Sequence, residues 1–319
     1  MIRIIHFLLL LIFIPVFGNA QKLSKKDFFF QDDTITMYDR ASEQDGYHLF
    51  LPTNFKKVKN MDIVVFIHGY GAINPMIYGK WIKHLVAQKK IVIYPRYQER
   101  ILKPAATEFA KNTTTGILDA FTALGQLKVK FDRNKFYLVG HSYGGVIAAN
   151  LAARADSLGL PTPLAAFICE PGTGPFTGGI LDNYSNTNPE MLMTIIVGTN
   201  DMTVGQKFGE YLYEKTTHLT NRSLIYQHPY DSLDLSASHY EPYSLDTLFD
   251  IGHRNFTANK AFNVSKYDEV DTKIYWPTLD LMMNAAKKRK KESIQNVLWP
   301  MIYGLGSSPA ERAILDVKY

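Results

Sequence analysis

A serine flanked by glycines lies between an apolar run and an apolar helical pattern. The segment is Phe136-Tyr-Leu-Val-Gly140-His141-Ser142-Tyr143-Gly144-Gly145, followed by Val146-Ile-Ala-Ala-Asn-Leu-Ala-Ala. Gly-x-Ser-x-Gly between a strand and a helix is the pattern in which a tight turn lifts the serine hydroxyl above a sheet. Small neighbours are needed because a Cβ at 140 or 144 would collide. The turn also sets the hydroxyl at a helix N-terminus, which favours developing negative charge. Such a serine suits nucleophilic attack on an acyl carbonyl.

A serine hydroxyl needs a base, and the base needs an orienting acid. In a parallel sheet both come from the carboxyl ends of later strands, in the order Ser, Asp/Glu, His. Met193-Thr-Ile-Ile-Val197 runs into Gly198-Thr-Asn-Asp201, and Leu224-Ile-Tyr226 is followed by a loop holding Ser236-Ala-Ser-His239-Tyr240-Glu-Pro242. Order and position nominate Asp201 as the acid and His239 as the base. Glu170, at the end of an earlier apolar run, is the competing acid, and His253 in Asp250-Ile-Gly-His-Arg is the competing base. His228, followed by Pro229, and His84, inside a helical window, read as structural.

Acyl transfer also requires two donors aimed at the oxyanion. The backbone N–H of Tyr143, directly after the serine, is one. The other is expected from an early strand-to-helix loop, and Ile63-Val-Val-Phe-Ile-His68-Gly69-Tyr70-Gly71 supplies the backbone N–H of Tyr70. Tyr70, Tyr143, Tyr240 and Trp81 are candidates for an aromatic wall around the acyl site. The glycine-rich stretch Gly172-Thr-Gly-Pro-Phe-Thr-Gly-Gly is a candidate rim, and its spacing is not that of a nucleotide loop.

The elements that would position these residues alternate along the chain. Met61–Ile67, Ile91–Tyr94, Phe136–Val139, Leu164–Cys169, Met193–Val197 and Leu224–Tyr226 read as buried strands. Ile77–Gln88, Thr115–Leu127 and Val146–Arg154 read as helices. Continuous apolar strands separated by helices predict a mostly parallel α/β sheet covered on both faces. Residues 21–46 are polar without a convincing period and read as a lead-in to a single catalytic domain spanning 47–319.

Of the 319 residues, 46% are hydrophobic and 20% charged, with a formal net charge of +5, so neither disorder nor a dedicated anionic partner is implied. Residues 1–20 read as an export signal: Arg3, the apolar stretch Ile4 to Phe17, then Gly18-Asn19-Ala20. The apolar stretch is short of the roughly 20 residues that a spanning helix needs, so a secreted or periplasmic protein without stable membrane insertion is expected. Cys169 is the only cysteine, which excludes an intramolecular disulfide. No motif calls for a metal or cofactor. The basic run Lys287-Lys-Arg-Lys-Lys291 lacks interleaved aromatics and reads as a solvated helix end rather than a nucleic-acid site.

These motifs resemble those of secreted α/β-hydrolases over about Tyr47 to Ala286. The turn at Asp201 and the loop at His239 are similar to those of the polyesterase, cutinase-like and chlorophyllase-like branch, as are Tyr78-Gly-Lys-Trp81 and Tyr275-Trp276-Pro-Thr-Leu-Asp280. The resemblance implies an α/β-hydrolase fold and hydrolysis of a small or polymeric carboxylic ester through an acyl-enzyme, and it favours His239 over His253. The chain departs from the pattern where Glu170-Pro171 replaces a frequent Asp-Pro, and in having no disulfide. The same serine, histidine and aspartate could serve a peptidase or an acyltransferase, and the fold also hosts non-catalytic binding proteins.

Overall fold

The run Met61–Ile67 forms a strand buried along its whole length, and its side chains divide between two cores. Val64 and Phe66 enter one, while Ile63, Val65 and Ile67 enter the other. This is the two-residue period of a strand. Burial on both faces is why the run is continuously apolar from Ile63 to Ile67 rather than alternating. The computed structural model describes residues 23–99, 101–102, 104–176, 178–231, 234–288, 294–298 and 314–319. The export segment expected at residues 1–20 and Arg289 to Lys291 of the basic run lie outside the described residues.

In chain order the strands are β1 (Phe28–Gln31), β2 (Ile35–Arg40), β3 (Tyr47–Pro52), β4 (Met61–Ile67) and β5 (Ile91–Pro95). They continue with β6 (Phe131–His141), β7 (Ala165–Cys169), β8 (Leu192–Gly198), β9 (Asn221–Gln227) and β10 (Leu315–Lys318). The helices are α1 (Gly79–Ala87), α2 (Phe109–Gln126), α3 (Tyr143–Arg154), α4 (Lys207–Lys215), α5 (Phe256–Val264) and α6 (Trp276–Lys287). The strands form one sheet in the order β1-β2-β3-β5-β4-β6-β7-β8-β9-β10. Every pairing from β5 across to β9 is parallel. The flanking pairs β1–β2, β2–β3, β3–β5 and β9–β10 are antiparallel. Trp81 and Leu85 of α1 and Leu279 and Met282 of α6 pack on the Phe66 face. Ile117 of α2, Val146 of α3 and Leu212 of α4 pack on the opposite face.

The polar opening of the chain, read as a lead-in, carries regular structure. It supplies β1 and β2, which extend the sheet by antiparallel pairing, with Ile35 and Met37 fully buried. Thr36 between them is buried as well, and Phe30 and Tyr38 pack against opposite cores, so no simple period stands out in sequence. Helix α2 starts at Phe109 rather than Thr115, because the Thr113 and Thr114 hydroxyls donate to the Phe109 and Ala110 carbonyls at 2.7 and 2.8 Å. These hydroxyls are thus satisfied inside the helix. At the other edge, β10 pairs with β9 and was not anticipated. Lys287, on the last turn of α6, pairs with the buried Asp62 carboxylate, so this end of the basic run is anchored to the sheet.

Helix α6 is entered through a π-helical turn, Val270–Tyr275, in which Asp271 is buried. Its Oδ2 accepts the Asp268 N–H at 3.2 Å, and its Oδ1 has no hydrogen-bond partner among the described residues. Burial pushes the Asp271 pKa up to about 8, with Asp268 and Glu241 adding to the rise and Lys80 opposing it. The folded chain therefore keeps this proton between the unfolded carboxyl value near 3.9 and about pH 8. The native state binds the extra proton, so stability falls as pH rises through that window. Asp271→Asn cannot ionise and should flatten this part of the thermal unfolding curve. Its midpoint at pH 9 should exceed that of the wild type by at least about 2–4 °C, the displacement that one kcal/mol produces in domains of roughly 150–250 residues, with little difference at pH 4.

Candidate active site

Strand β6 ends at His141 and α3 begins at Tyr143, leaving Ser142 alone in the turn with φ 56° and ψ −125°. That backbone conformation is costly for a residue with a Cβ and persists only where the surroundings impose it. They do so here. A Cβ on Gly144 would lie 2.1 Å from the Ile67 carbonyl oxygen, and one on Gly140 would lie 2.4 Å from the Gly144 carbonyl oxygen. The Ser142 N–H donates to the Cys169 carbonyl at 2.9 Å, which ties the turn to β7.

The turn brings Ser142 Oγ to 2.9 Å from His239 Nε2, and His239 Nδ1 lies 2.8 Å from Asp201 Oδ2. Asp201 follows β8 and His239 lies in the loop after β9. The second Asp201 oxygen accepts the backbone N–H groups of Thr203 and Val204 at 2.8 and 3.0 Å. Burial alone would raise the Asp201 pKa. The hydrogen bond and charge of His239, with these N–H donors, outweigh it and hold the carboxyl below its usual range.

The competing residues lie elsewhere. Glu170 is fully buried, and its carboxyl accepts the Tyr275 hydroxyl; burial raises its pKa well above the usual value. His253 presents its carbonyl to Asn74 at 3.2 Å and does not line the cleft at Ser142. His228 follows β9, where its N–H donates to the Ile314 carbonyl at 2.8 Å. His84 lies 2.8 Å from Asp280 on the outer side of α1. Trp81, a candidate for the aromatic wall, is fully buried against Phe66 at 5.1 Å and is a core residue instead. It lies on the inward face of α1, a placement that its residue type did not reveal.

Tyr70, Tyr143 and Tyr240 all line a cleft of about 170 Å³ that opens on Ser142 and His239. The glycine-rich stretch contributes Gly172 to Phe176, and the Phe176 ring lies 4.3 Å from that of Tyr70. The Tyr143 hydroxyl donates to the Gly178 carbonyl at 2.9 Å, and the Tyr70 hydroxyl donates to the Ile101 carbonyl at 2.6 Å. Phe256, Thr257 and Lys260 of α5 complete one wall, and nothing in their spacing had singled them out.

The loop bearing Tyr70 is held from several sides. Gly71 donates its N–H to Gln98 Oε1 and accepts the Asn255 side chain, both at 2.7 Å, and the Tyr70 carbonyl accepts the Thr257 hydroxyl at 3.3 Å. His68, stacked on Tyr97 at 4.4 Å, is kept neutral because burial lowers its pKa to about 3. A directional chain then joins this loop to the serine turn and the histidine loop. The Gly69 N–H donates to the Tyr78 hydroxyl oxygen at 3.0 Å, and that hydroxyl lies 2.7 Å from His141 Nδ1. His141 Nε2 in turn lies 2.9 Å from the His239 carbonyl. Burial keeps Tyr78 protonated and, with His239 nearby, His141 neutral. A carbonyl can only accept, so the imidazole proton sits on Nε2 and the Tyr78 O–H donates to Nδ1.

Tyr78→Phe leaves the Gly69 N–H and His141 Nδ1 buried without that partner. It should lower stability by about 1–3 kcal/mol, the cost of stranding a buried polar group, as measured by urea unfolding. Nitrogen-15 spectra of the wild type should show His141 as the neutral Nε2–H tautomer from pH 5 to 9.

A family model described as Chlorophyllase matches residues 42–200, from just before β3 to the residue preceding Asp201. The match spans the loop at Tyr70 and the turn at Ser142. No curated protein matches the chain. With a mostly parallel sheet bearing Ser142 between β6 and α3, the chain has an α/β-hydrolase fold, and the match fits the chlorophyllase-like branch of that superfamily.

Proposed function

We propose that the chain hydrolyses carboxylic esters through an acyl-enzyme formed on Ser142. The observation that carries this reading is the unbroken contact from Ser142 Oγ to His239 Nε2 and from His239 Nδ1 to Asp201 Oδ2. His239 takes the hydroxyl proton as Ser142 attacks the ester carbonyl, and Asp201 stabilises the imidazolium. The backbone N–H groups of Tyr70 and Tyr143 stabilise the tetrahedral oxyanion. His239 then passes the proton to the leaving alcohol as the ester C–O bond breaks. Water attacks the acyl-enzyme, giving its proton to His239, and collapse of the second intermediate returns that proton to Ser142 and frees the acid. No step needs a metal or cofactor. The aromatic lining at Tyr70, Tyr143, Phe176 and Tyr240 suits an apolar acyl or alcohol group.

Ser142→Ala should lower kcat on a short chromogenic ester by about 10⁴–10⁶-fold and abolish labelling by a fluorophosphonate. Asp201→Asn should cost about 10³–10⁴-fold. His239→Ala should resemble Ser142→Ala, while His253→Ala should retain wild-type turnover. A panel that adds small peptides and competing alcohols separates esterase from peptidase and acyltransferase, because only the first predicts water as the preferred acceptor and esters as the preferred donors. Wild-type turnover by Ser142→Ala would defeat the assignment.

We also propose that residues 1–20 direct export, on the strength of Arg3, the apolar stretch after it and the small residues Gly18-Asn19-Ala20. No helix among the described residues is long and apolar enough to cross a membrane. Sequencing of the exported protein should begin at Gln21, and a chain retaining Met1 after export would refute cleavage at this site.

A further inference from the structure

One wall of the cleft carries a cation that the ester mechanism does not use. Helix α5 is fastened to the site at its first turn. Asn255 caps it by accepting the Ala258 N–H at 2.8 Å while its amide donates to the Gly71 carbonyl, and Thr257 bonds the Tyr70 carbonyl. Lys260, one turn beyond Phe256 and three residues from Thr257, therefore shares their face and also lines the cleft. Its ammonium lies 5.5 Å from the Tyr240 ring centroid, and the Tyr240 ring meets that of His239 edge-on at 5.6 Å.

The neighbouring cations of this region are neutralised, Arg254 by Asp250 and Lys266 by Asp234. Among the described residues, Lys260 forms no ion pair and no aspartate or glutamate lines the cleft. The nearby carboxylates are committed elsewhere. Asp201 is held by His239 and two backbone N–H groups, and Glu241 by Ser236 and Ser238. Among the described residues, an apolar cleft with one cation outside any ion pair at its wall complements a substrate that is apolar near the scissile bond and negatively charged farther away.

We propose that Lys260 is a specificity-determining residue and that the preferred substrates are esters bearing a second, ionised carboxylate. This rests on the ester-hydrolase reading of Ser142. The charge can reside on the acyl side, as in a half-ester of a dicarboxylic acid, or on the alcohol side, as in an acylated hydroxy acid. The ammonium holds that carboxylate while the ester carbonyl lies at Ser142.

The test compares charged and neutral partners of equal length within each enzyme. One pair is monomethyl and dimethyl adipate; the other is the butyryl ester of 4-hydroxybutyrate and its methyl-capped form. In the wild type at 50 mM salt, kcat/KM for the charged member of one pair should exceed that of the neutral member by about fivefold, mainly through KM. The pair showing the preference identifies the side on which the charge lies. Lys260→Met should bring the charged-to-neutral ratio near one, Lys260→Glu should invert it, and Lys260→Arg should restore it. Raising salt to 0.5 M should erode the wild-type preference through screening. Equal ratios in wild type and Lys260→Met for both pairs would overturn the proposal while leaving ester hydrolysis intact. Absence of turnover of all four esters by the wild type would instead overturn the hydrolase reading, and this inference with it.

Discussion

The architecture of the site depends on one close approach of backbone to backbone. The Cα of Gly144, at the start of α3, lies so near the end of β4 that a methyl there would sit 2.1 and 2.4 Å from the Ile67 and His68 carbonyl oxygens. That approach leaves Ser142 no room for an ordinary helical entry and imposes its positive φ. It also sets the two donor-bearing stretches side by side, because β4 leads into the Tyr70 loop and pairs directly with β6. The proposed nucleophile and the proposed oxyanion loop are thus fixed to each other by sheet register rather than by long side chains.

Around this contact, two carboxyl groups at adjacent strand ends are driven in opposite directions. Glu170 after β7 meets burial and a single tyrosine hydroxyl, and its neutral form is favoured. Asp201 after β8 meets an imidazole and two backbone N–H groups, and its charged form is favoured. Environment rather than residue type separates their roles. The neutral imidazoles serve differently again. His141 and His68 are too deeply buried to hold a charge and act as fixed hydrogen-bonding struts, His141 linking Tyr78 to the carbonyl of His239. The ring of His239 is therefore oriented by Asp201 while its backbone is held by His141, so the proposed base is located at both ends.

The cleft extends the same logic to substrate. Its aromatic side is built from the two tyrosines beside the proposed oxyanion site and from Phe176, whose ring meets that of Tyr70. Its other side comes from α5, a helix in the long connection between the His239 loop and α6. The hydrogen bonds that anchor α5 run to the loop of Tyr70 itself. The proposed catalytic geometry and the wall facing it are therefore mechanically joined.

Much of this was legible in the sequence, for identifiable reasons. Strand β4 was read with its bounds intact, because burial on both faces leaves it apolar at every position but Asp62. Ser142, Asp201 and His239 were singled out because a parallel sheet collects strand ends on one edge, so chain order carries spatial information. Glycines at 140 and 144 were informative because they mark places where no Cβ fits. Sequence by itself thus determined the elements whose pattern is local and the residues whose type the chemistry restricts. What it left undetermined depends on partners remote in the chain. β1, β2 and β10 are strands because an edge was available to pair with, and Trp81 was assigned to a wall when it belongs to the core. Tyr78 needed His141, and Lys260 needed the cleft before its charge had meaning. The tertiary structure alone decided these, since burial, hydrogen-bond partners and unbalanced charge are properties of what surrounds a residue.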